Sequence, residues 1–239
     1  MSPETLVKEI NQAKLRLIHT EGYQPLPYIQ DLLKRLHKAG LKLAIASSSS
    51  NTEIEGVVKA LEIRKYFHKL ISGSRVAHPK PAPDTFELTL KELGVNAKEA
   101  IVIEDSCYGI TAAKAAGIAC IGLVNPHSGN QDLSNADALL EGFEDLQPAY
   151  FEHVLLRTLG KPVTIASTRR LIIRELATSD IPDLYPIYQD PDVRKYIDDI
   201  EDYLEDEIAK QKAYIKNVYT FYNYGLWGVF SKTTKGLIG

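Results

Sequence analysis

The hydrophobic positions of this chain change period repeatedly, and each change marks an element. Leu6, Ile10, Ala13 and Leu17 fall at helical spacing behind Ser2-Pro3, a capping serine and a proline where a first turn tolerates one. A second helix is predicted over residues 27–39, stopped at Gly40. The run Lys42-Leu43-Ala44-Ile45-Ala46 then reads as a short buried strand ending in four serines at 47–50. Ile54, Val57, Val58 and Leu61 return to helical spacing, and Lys69-Leu70-Ile71-Ser72 is a second strand. A helix over 83–93 closes at Gly94, and Ala100-Ile101-Val102-Ile103 is a third strand. A further helix runs to Ala116, ahead of a fourth strand over 118–123. Strands alternating with helices predict an α/β fold with a doubly wound parallel sheet, whose functional residues gather at the carboxyl ends of the strands.

Beyond residue 160 the pattern differs. An apolar helical stretch ends at Gly160-Lys161-Pro162, which punctuates the chain and places a linker over 161–167. Residues 171–176 form a strand, and an amphipathic helix begins at Asp180. A longer helix follows over 203–218, and residues 224–231 form a strand before a turn at Lys232-Thr233-Thr234-Lys235-Gly236. Eight of the thirteen tyrosines lie after residue 160, so the two parts also differ in composition. The acidic run from Asp198 to Glu207 reads as a solvated approach to a helix. Tyr219, Phe221, Tyr222, Tyr224 and Trp227 read either as pocket lining or as core and edge packing.

Charge and composition narrow the function. With 28 basic and 31 acidic side chains the net charge is -3, which disfavours a dedicated nucleic-acid binder. At 44% apolar the chain supports a packed core. No run approaches the eighteen or so apolar residues of a membrane span, and Met1-Ser2-Pro3-Glu4 is no secretory signal. Cys107 and Cys120 make neither a disulfide framework nor a zinc pattern. The expectation is a soluble, cytoplasmic protein.

Three features sit at strand exits. Ser47 follows a strand and precedes a helix, where a hydroxyl beside free N–H groups makes a phosphate or carboxylate cradle, or alternatively an N-cap. His78-Pro79-Lys80-Pro81-Ala82-Pro83-Asp84 holds Lys80 between prolines, which fixes it outside a helix. Such stiffness suits an ammonium held against a phosphoryl oxygen; the alternative is an exposed loop lysine. Asp84 reads as a cap for the following helix. Glu104-Asp105 places two carboxylates at the exit of a buried strand, costly unless paired or metal-bound, and hard oxygen ligands there suggest magnesium. The alternative is an acidic pair capping the next helix.

Taken together these residues resemble the haloacid dehalogenase-like (HAD) superfamily, and within it the beta-phosphoglucomutase-like phosphatases. Ile45-Ala46-Ser47-Ser48-Ser49 is similar to the second family motif, Lys80-Pro81-Ala82-Pro83-Asp84 to the third, and Glu104-Asp105-Ser106 with Gly109 to the fourth. The resemblance implies a HAD-like Rossmannoid core over 20–160, preceded at 1–19 by the end of a helical cap. It implies that Ser47, with Ser48 and Ser49, binds the transferring phosphoryl group, that Lys80 neutralises charge, and that Asp105 and Glu104 hold Mg2+. The family's nucleophile and acid/base aspartates stand on a first strand between those ending at Ser47 and Glu104, and that strand is not recognisable here. The Asp190-Pro191-Asp192 pattern follows a helix and does not replace it.

Residues 168–239 resemble the opening half of GNAT-fold acetyltransferases through 171–176, Asp190-Pro191-Asp192-Val193, and 225–230 leading to Gly236-Leu237-Ile238-Gly239. That implies a partial α+β domain whose acetyl-CoA loop is not reached. The expectation is a piece of a longer two-domain protein acting on a small phosphorylated metabolite such as a sugar phosphate, without nucleic-acid or membrane partners, and inactive alone for want of the nucleophile. Its alternatives are acetyl transfer as the main activity, or a non-catalytic phosphate- or partner-binding remnant.

Overall fold

The structure is a computed structural model that describes residues 2–197 and 199–239. Helix α1 (Pro3–Glu21) starts at Ser2, whose hydroxyl accepts from the Thr5 amide, and its Leu6, Ile10 and Leu17 are about half exposed. Helix α2 (Ile29–Lys38) buries Leu32, Leu33 and Leu36 on one face. Strand β1 (Ala44–Ser47) leads into α3 (Asn51–Ala60), and β2 (Lys69–Ser72) pairs parallel with β1 in the register Ala44 to Lys69. Helix α4 (Asp84–Leu93) precedes β3 (Ile101–Glu104), then α5 (Cys107–Ala115), β4 (Ala119–Leu123) and β5 (Ala138–Leu140). These last three strands form a second parallel sheet in the order β3-β4-β5. Strand β5 carries too short an apolar run to stand out in the sequence.

The sheet is therefore not continuous. It falls into β2-β1 on one side and β3-β4-β5 on the other, and among the described residues no strand lies between the facing edges of β1 and β3. A groove of about 630 Å3 lies there, lined by β1, β3 and the helices on both faces. On one face Leu36 of α2 packs with Phe143 and with Phe151 of α6 (Pro148–Thr158); on the other Phe86 and Leu90 of α4 pack with Ile110 of α5. Cys120, the second residue of β4, is fully buried, and burial pushes its thiol from the ordinary 9.0 up to about 12.

The segment expected as a linker, 161–167, holds strand β6 (Thr164–Ser167). It pairs antiparallel with β7 (Leu171–Glu175), so it belongs to a third sheet rather than to a linker. A buried ion pair crosses the same boundary: Arg157 of α6 donates to Glu175 of β7 from Nε at 3.0 Å and Nη2 at 2.6 Å, with both side chains about 3% exposed or less. Helices α7 (Ile181–Tyr188), α8 (Pro191–Arg194) and α9 (Leu204–Tyr214) follow, then a π-helical turn, α10 (Thr220–Tyr222), and β8 (Trp227–Ser231), which pairs antiparallel with β7. The predicted helix over 203–218 is thus continued through that turn, and the helical backbone runs on to Tyr222. Asp190 caps α8 by accepting from the Asp192 amide at 2.8 Å, which accounts for the Asp-x-Asp pattern. Of the acidic run, Asp198 lies outside the described residues, and Glu207 is buried rather than solvated, accepting from the Glu201 amide at 2.9 Å. Among the aromatics, Tyr219 is core, while Phe221, Tyr222 and Tyr224 are exposed.

Candidate active site

The expected residues converge at the carboxyl ends of β1 and β3, and Lys80 is the group that joins them. Its ammonium donates to the Ala46 carbonyl of β1 at 3.1 Å and forms an ion pair with Glu104 at the end of β3. Only 9% of the side chain is exposed, and Nζ also lies 4.6 Å from the Phe86 ring centre. An exposed loop lysine is therefore not what the prolines produce. They carry it inward, with Asp84 anchoring the loop by accepting from the His78 amide at 3.2 Å and pairing with the His78 ring at 3.0 Å. Burial would raise the Asp84 carboxyl, but the His78 contacts outweigh it and hold it below the usual range. Pro83, not Asp84, occupies the N-cap position of α4.

Ser47 is not the cap of α3 either. Ser50 takes that role in a reciprocal capping box with Glu53, and the Ser47 hydroxyl accepts from the Ser49 amide at 3.1 Å, leaving its own proton free to donate. The 47–50 turn is held from β2. Ser72, fully buried, donates to the Ser49 carbonyl at 2.6 Å, and Gly73 comes so close that a Cβ there would lie 3.3 Å from the Ser48 Cα.

The two carboxylates separate in role. Glu104 is 11% exposed and spent on Lys80 and on the Ser106 hydroxyl, which donates at 3.0 Å. Ser106, not the acidic pair, caps α5, accepting from the Gly109 amide at 3.0 Å. Gly109 is required here, because a Cβ would lie 2.0 Å from the Glu104 Cδ. Asp105 accepts from Asn125 Nδ2 at 2.7 Å and from the Ser128 hydroxyl, both at Oδ2. Among the described residues its Oδ1 carries no such bond. A magnesium ion suits such a donor set, because it takes one or two carboxylates and fills its other positions with water and phosphate oxygens. Asp105 fits; Glu104, neutralised by Lys80, does not. No group of three His, Cys, Asp or Glu side chains that could hold a metal occurs among the described residues.

Ser72, Gly73, Asn125 and Ser128 were not singled out by the sequence. Asn125 and Ser128 follow the carboxyl end of β4, so strand-exit reasoning applied to every strand would have found them.

The chain can now be set beside known proteins. It is 36% identical over 147 residues to Protein CbbY of Cereibacter sphaeroides, covering 59% of this chain and 64% of that one. It is 33% identical over 131 residues to phosphoglycolate phosphatase of Escherichia coli (strain K12), covering 54% and 52%. It thus spans less than two thirds of the length of these relatives. The solved structure of CbbY from Rhodobacter sphaeroides in complex with phosphate superposes with a TM-score of 0.56 at 31% identity, covering 63% of this chain and 69% of that one. A beta-phosphoglucomutase-type structure from Thermotoga maritima gives 0.51 at 30%, covering 65% and 68%. Residues 2–123 match the haloacid dehalogenase-like hydrolase family as a whole, the same stretch that carries the serine turn, Lys80 and the carboxylate pair. The chain belongs to the haloacid dehalogenase-like hydrolase family.

Proposed function

We propose that residues 44–128 form the phosphate- and magnesium-binding half of a phosphoryl-transfer site for a small phosphorylated metabolite, as the names of its relatives suggest. The observation that carries this reading is the position of Lys80, clamped between the Ala46 carbonyl and Glu104, which sets one buried cation between the serine turn and Asp105. Phosphoryl transfer asks mainly for positioning and charge neutralisation. The Ser47 hydroxyl, oriented by the Ser49 amide, donates to a phosphoryl oxygen. Lys80 has three ammonium protons, of which two are engaged, and the third serves the phosphate. Asn125 and Ser128 hold the Asp105 carboxylate in one orientation. Magnesium, when bound at Asp105, supplies positive charge to the phosphoryl oxygens.

A carboxylate nucleophile is not among these groups. Glu104 belongs to Lys80 and Asp105 to the metal, so on this reading the 239 residues bind phosphate without turning it over. The acetyltransferase resemblance of residues 168–239 is supported by strand and helix order alone, in β7, α7 to α9 and β8, and no acetyl-CoA contact is derived from it. Cytoplasmic residence is in keeping with two free cysteines and with the lack, among the described residues, of a helix long and apolar enough to cross a membrane.

The test is thermal protection by inorganic phosphate with and without magnesium, alongside hydrolysis of an aryl phosphate. Phosphate at a hundredfold its Kd should add about 2.7 kcal/mol of stability. Lys80→Met should abolish this, Asp105→Asn should abolish only the magnesium-dependent part, and no turnover should be seen. Absence of phosphate protection in the unmodified chain would overturn the site, and turnover by this chain would overturn the account of its nucleophile.

A further inference from the structure

A second cavity, of about 350 Å3, lies where β4 and β5 end and α2 begins. Leu123 and Phe143 are buried members of the core and make an apolar floor of fixed shape. Tyr28, Glu141 and Glu144 line the same cavity but are exposed, so they form its rim. An apolar hollow of this size with a few convergent polar groups suits a small molecule.

Tyr28 stands there at a conformational cost. It occupies the N-cap position of α2 with φ 62 and ψ 0, the left-handed region that glycine adopts freely and a bulky residue does not. Its side chain makes no capping bond in return. Strain of this kind gathers at ligand clamps. What the tyrosine adds over a glycine is a ring, half exposed, at the mouth of the cavity. Hydrogen bonding to Glu144 and the negative charge of Glu144 push the Tyr28 hydroxyl above its usual 10.0, so ring and carboxylate are neighbours.

The rim is anionic. Glu141 and Glu144 line the cavity and Asp145 follows them, and none of the three is in an ion pair among the described residues. Of the lining residues only His127 can carry a positive charge. A phosphate or carboxylate would meet like charge here, so the cavity does not duplicate the phosphate site. An ammonium gains both from a tyrosine face and from charge-assisted hydrogen bonds to carboxylates, while an apolar body suits the floor. We infer that this cavity binds a small organic cation, a flat apolar ring that carries an ammonium group.

Asn125 gives such a ligand a route to the phosphate site. It is part of the cavity wall, and its Oδ1 accepts from the His127 amide at 3.0 Å. Its Nδ2 donates to Asp105 Oδ2 at 2.7 Å and to the Ser128 hydroxyl at 2.8 Å. A ligand packed on Asn125 and His127 orders the side chain that orients Asp105, so magnesium and phosphate bind with less ordering left to do. This coupling rests on the phosphoryl-transfer reading of Asp105; the cavity's own chemistry does not.

The probe is tryptamine, compared with its neutral twin tryptophol and with anionic indole-3-acetate, each titrated into the full chain by calorimetry and amide NMR. Tryptamine should bind one-to-one with a Kd of about 1 mM or below, shifting residues 26–28, 123–127 and 141–144. Tryptophol should bind about tenfold more weakly, and indole-3-acetate without saturation. Replacing both rim carboxylates, Glu141→Gln with Glu144→Gln, should bring tryptamine to the level of tryptophol. Tyr28→Gly keeps the backbone conformation without strain and should weaken tryptamine about tenfold. With magnesium and phosphate present, tryptamine should bind about fivefold more tightly, an effect absent in Asn125→Ala.

Equal binding of the three probes, shifts confined to other residues, or no saturable binding of tryptamine would overturn the site. Tryptamine binding that ignores magnesium and phosphate, in a chain that phosphate protects, would overturn the coupling through Asn125. Loss of phosphate protection with tryptamine binding intact would contradict the proposed function and leave the cavity's ligand standing.

Discussion

The contact between Lys80 and Glu104 decides how the two carboxylates divide their roles, and its energy can be worked out from the geometry. The two side chains are 9% and 11% exposed, so neither charge is well hydrated. Removing one member of a buried pair costs about 3–5 kcal/mol, because the other is left uncompensated. In Lys80→Met the Glu104 carboxylate keeps the Ser106 hydroxyl, which places the loss near the lower end, at about 3 kcal/mol. In Glu104→Gln the ammonium keeps the Ala46 carbonyl and the loss is smaller, about 2 kcal/mol. With both replaced, no buried charge remains, and the loss should be about 3 kcal/mol instead of the additive sum near 5. The coupling of about 2 kcal/mol is read from urea unfolding of the four proteins, with the m-value as a check that the unfolding transition is unchanged. Single losses that add to within about 0.5 kcal/mol would show that the pair is not engaged. Glu104 would then be free for a metal, and the assignment of Asp105 as sole carboxylate ligand would be wrong.

Other consequences can be checked in the same preparations. Gly109→Ala forces the Glu104 carboxylate away from Lys80, since a Cβ would lie 2.0 Å from its Cδ. It should cost about 2 kcal/mol in urea unfolding and weaken phosphate protection, and adding Glu104→Ala should recover part of the stability. Arg157→Met leaves Glu175 buried with only the Val163 amide at 3.3 Å, and should cost about 3–5 kcal/mol; a loss under about 1 kcal/mol would mean that α6 and β7 are not tied together. Cys120, whose thiol burial raises to about 12, should resist a thiol reagent at pH 8 in the folded chain and react once unfolded. Because the folded value lies above the ordinary 9.0, the stability linked to this group is intact below pH 9 and falls as pH rises toward 12. Labelling in the folded chain at pH 8 would contradict the packing of β4.

Much of the core was legible because short buried strands are continuous apolar runs and their helices have punctuated ends. Strand β2 stands where Lys69-Leu70-Ile71-Ser72 placed it, and β1 and β3 differ from expectation by a residue or two. The serine turn, Lys80 and the acidic pair were legible for the same reason, since strand exits mark where function gathers. What was not legible depended on partners distant in sequence. Nothing near Lys80 shows that it reaches Glu104, 24 residues on, or that Ser72 pins a turn 23 residues back. The sequence could not separate the roles of Glu104 and Asp105, because Lys80, Asn125 and Ser128 make that distinction through side-chain contacts. Strand β6 was hidden in a polar stretch whose pairing with β7 is mostly exposed, and the π-helical turn after α9 has no proline or glycine to announce it.

The central claim is that phosphate binds where β1 and β3 end, and backbone amide NMR with inorganic phosphate and magnesium tests it most directly. The account predicts shifts concentrated at residues 47–50, 80, 104–106 and 125–128, lost in Lys80→Met. Shifts confined to residues 168–239, or none at any of these positions, would contradict it.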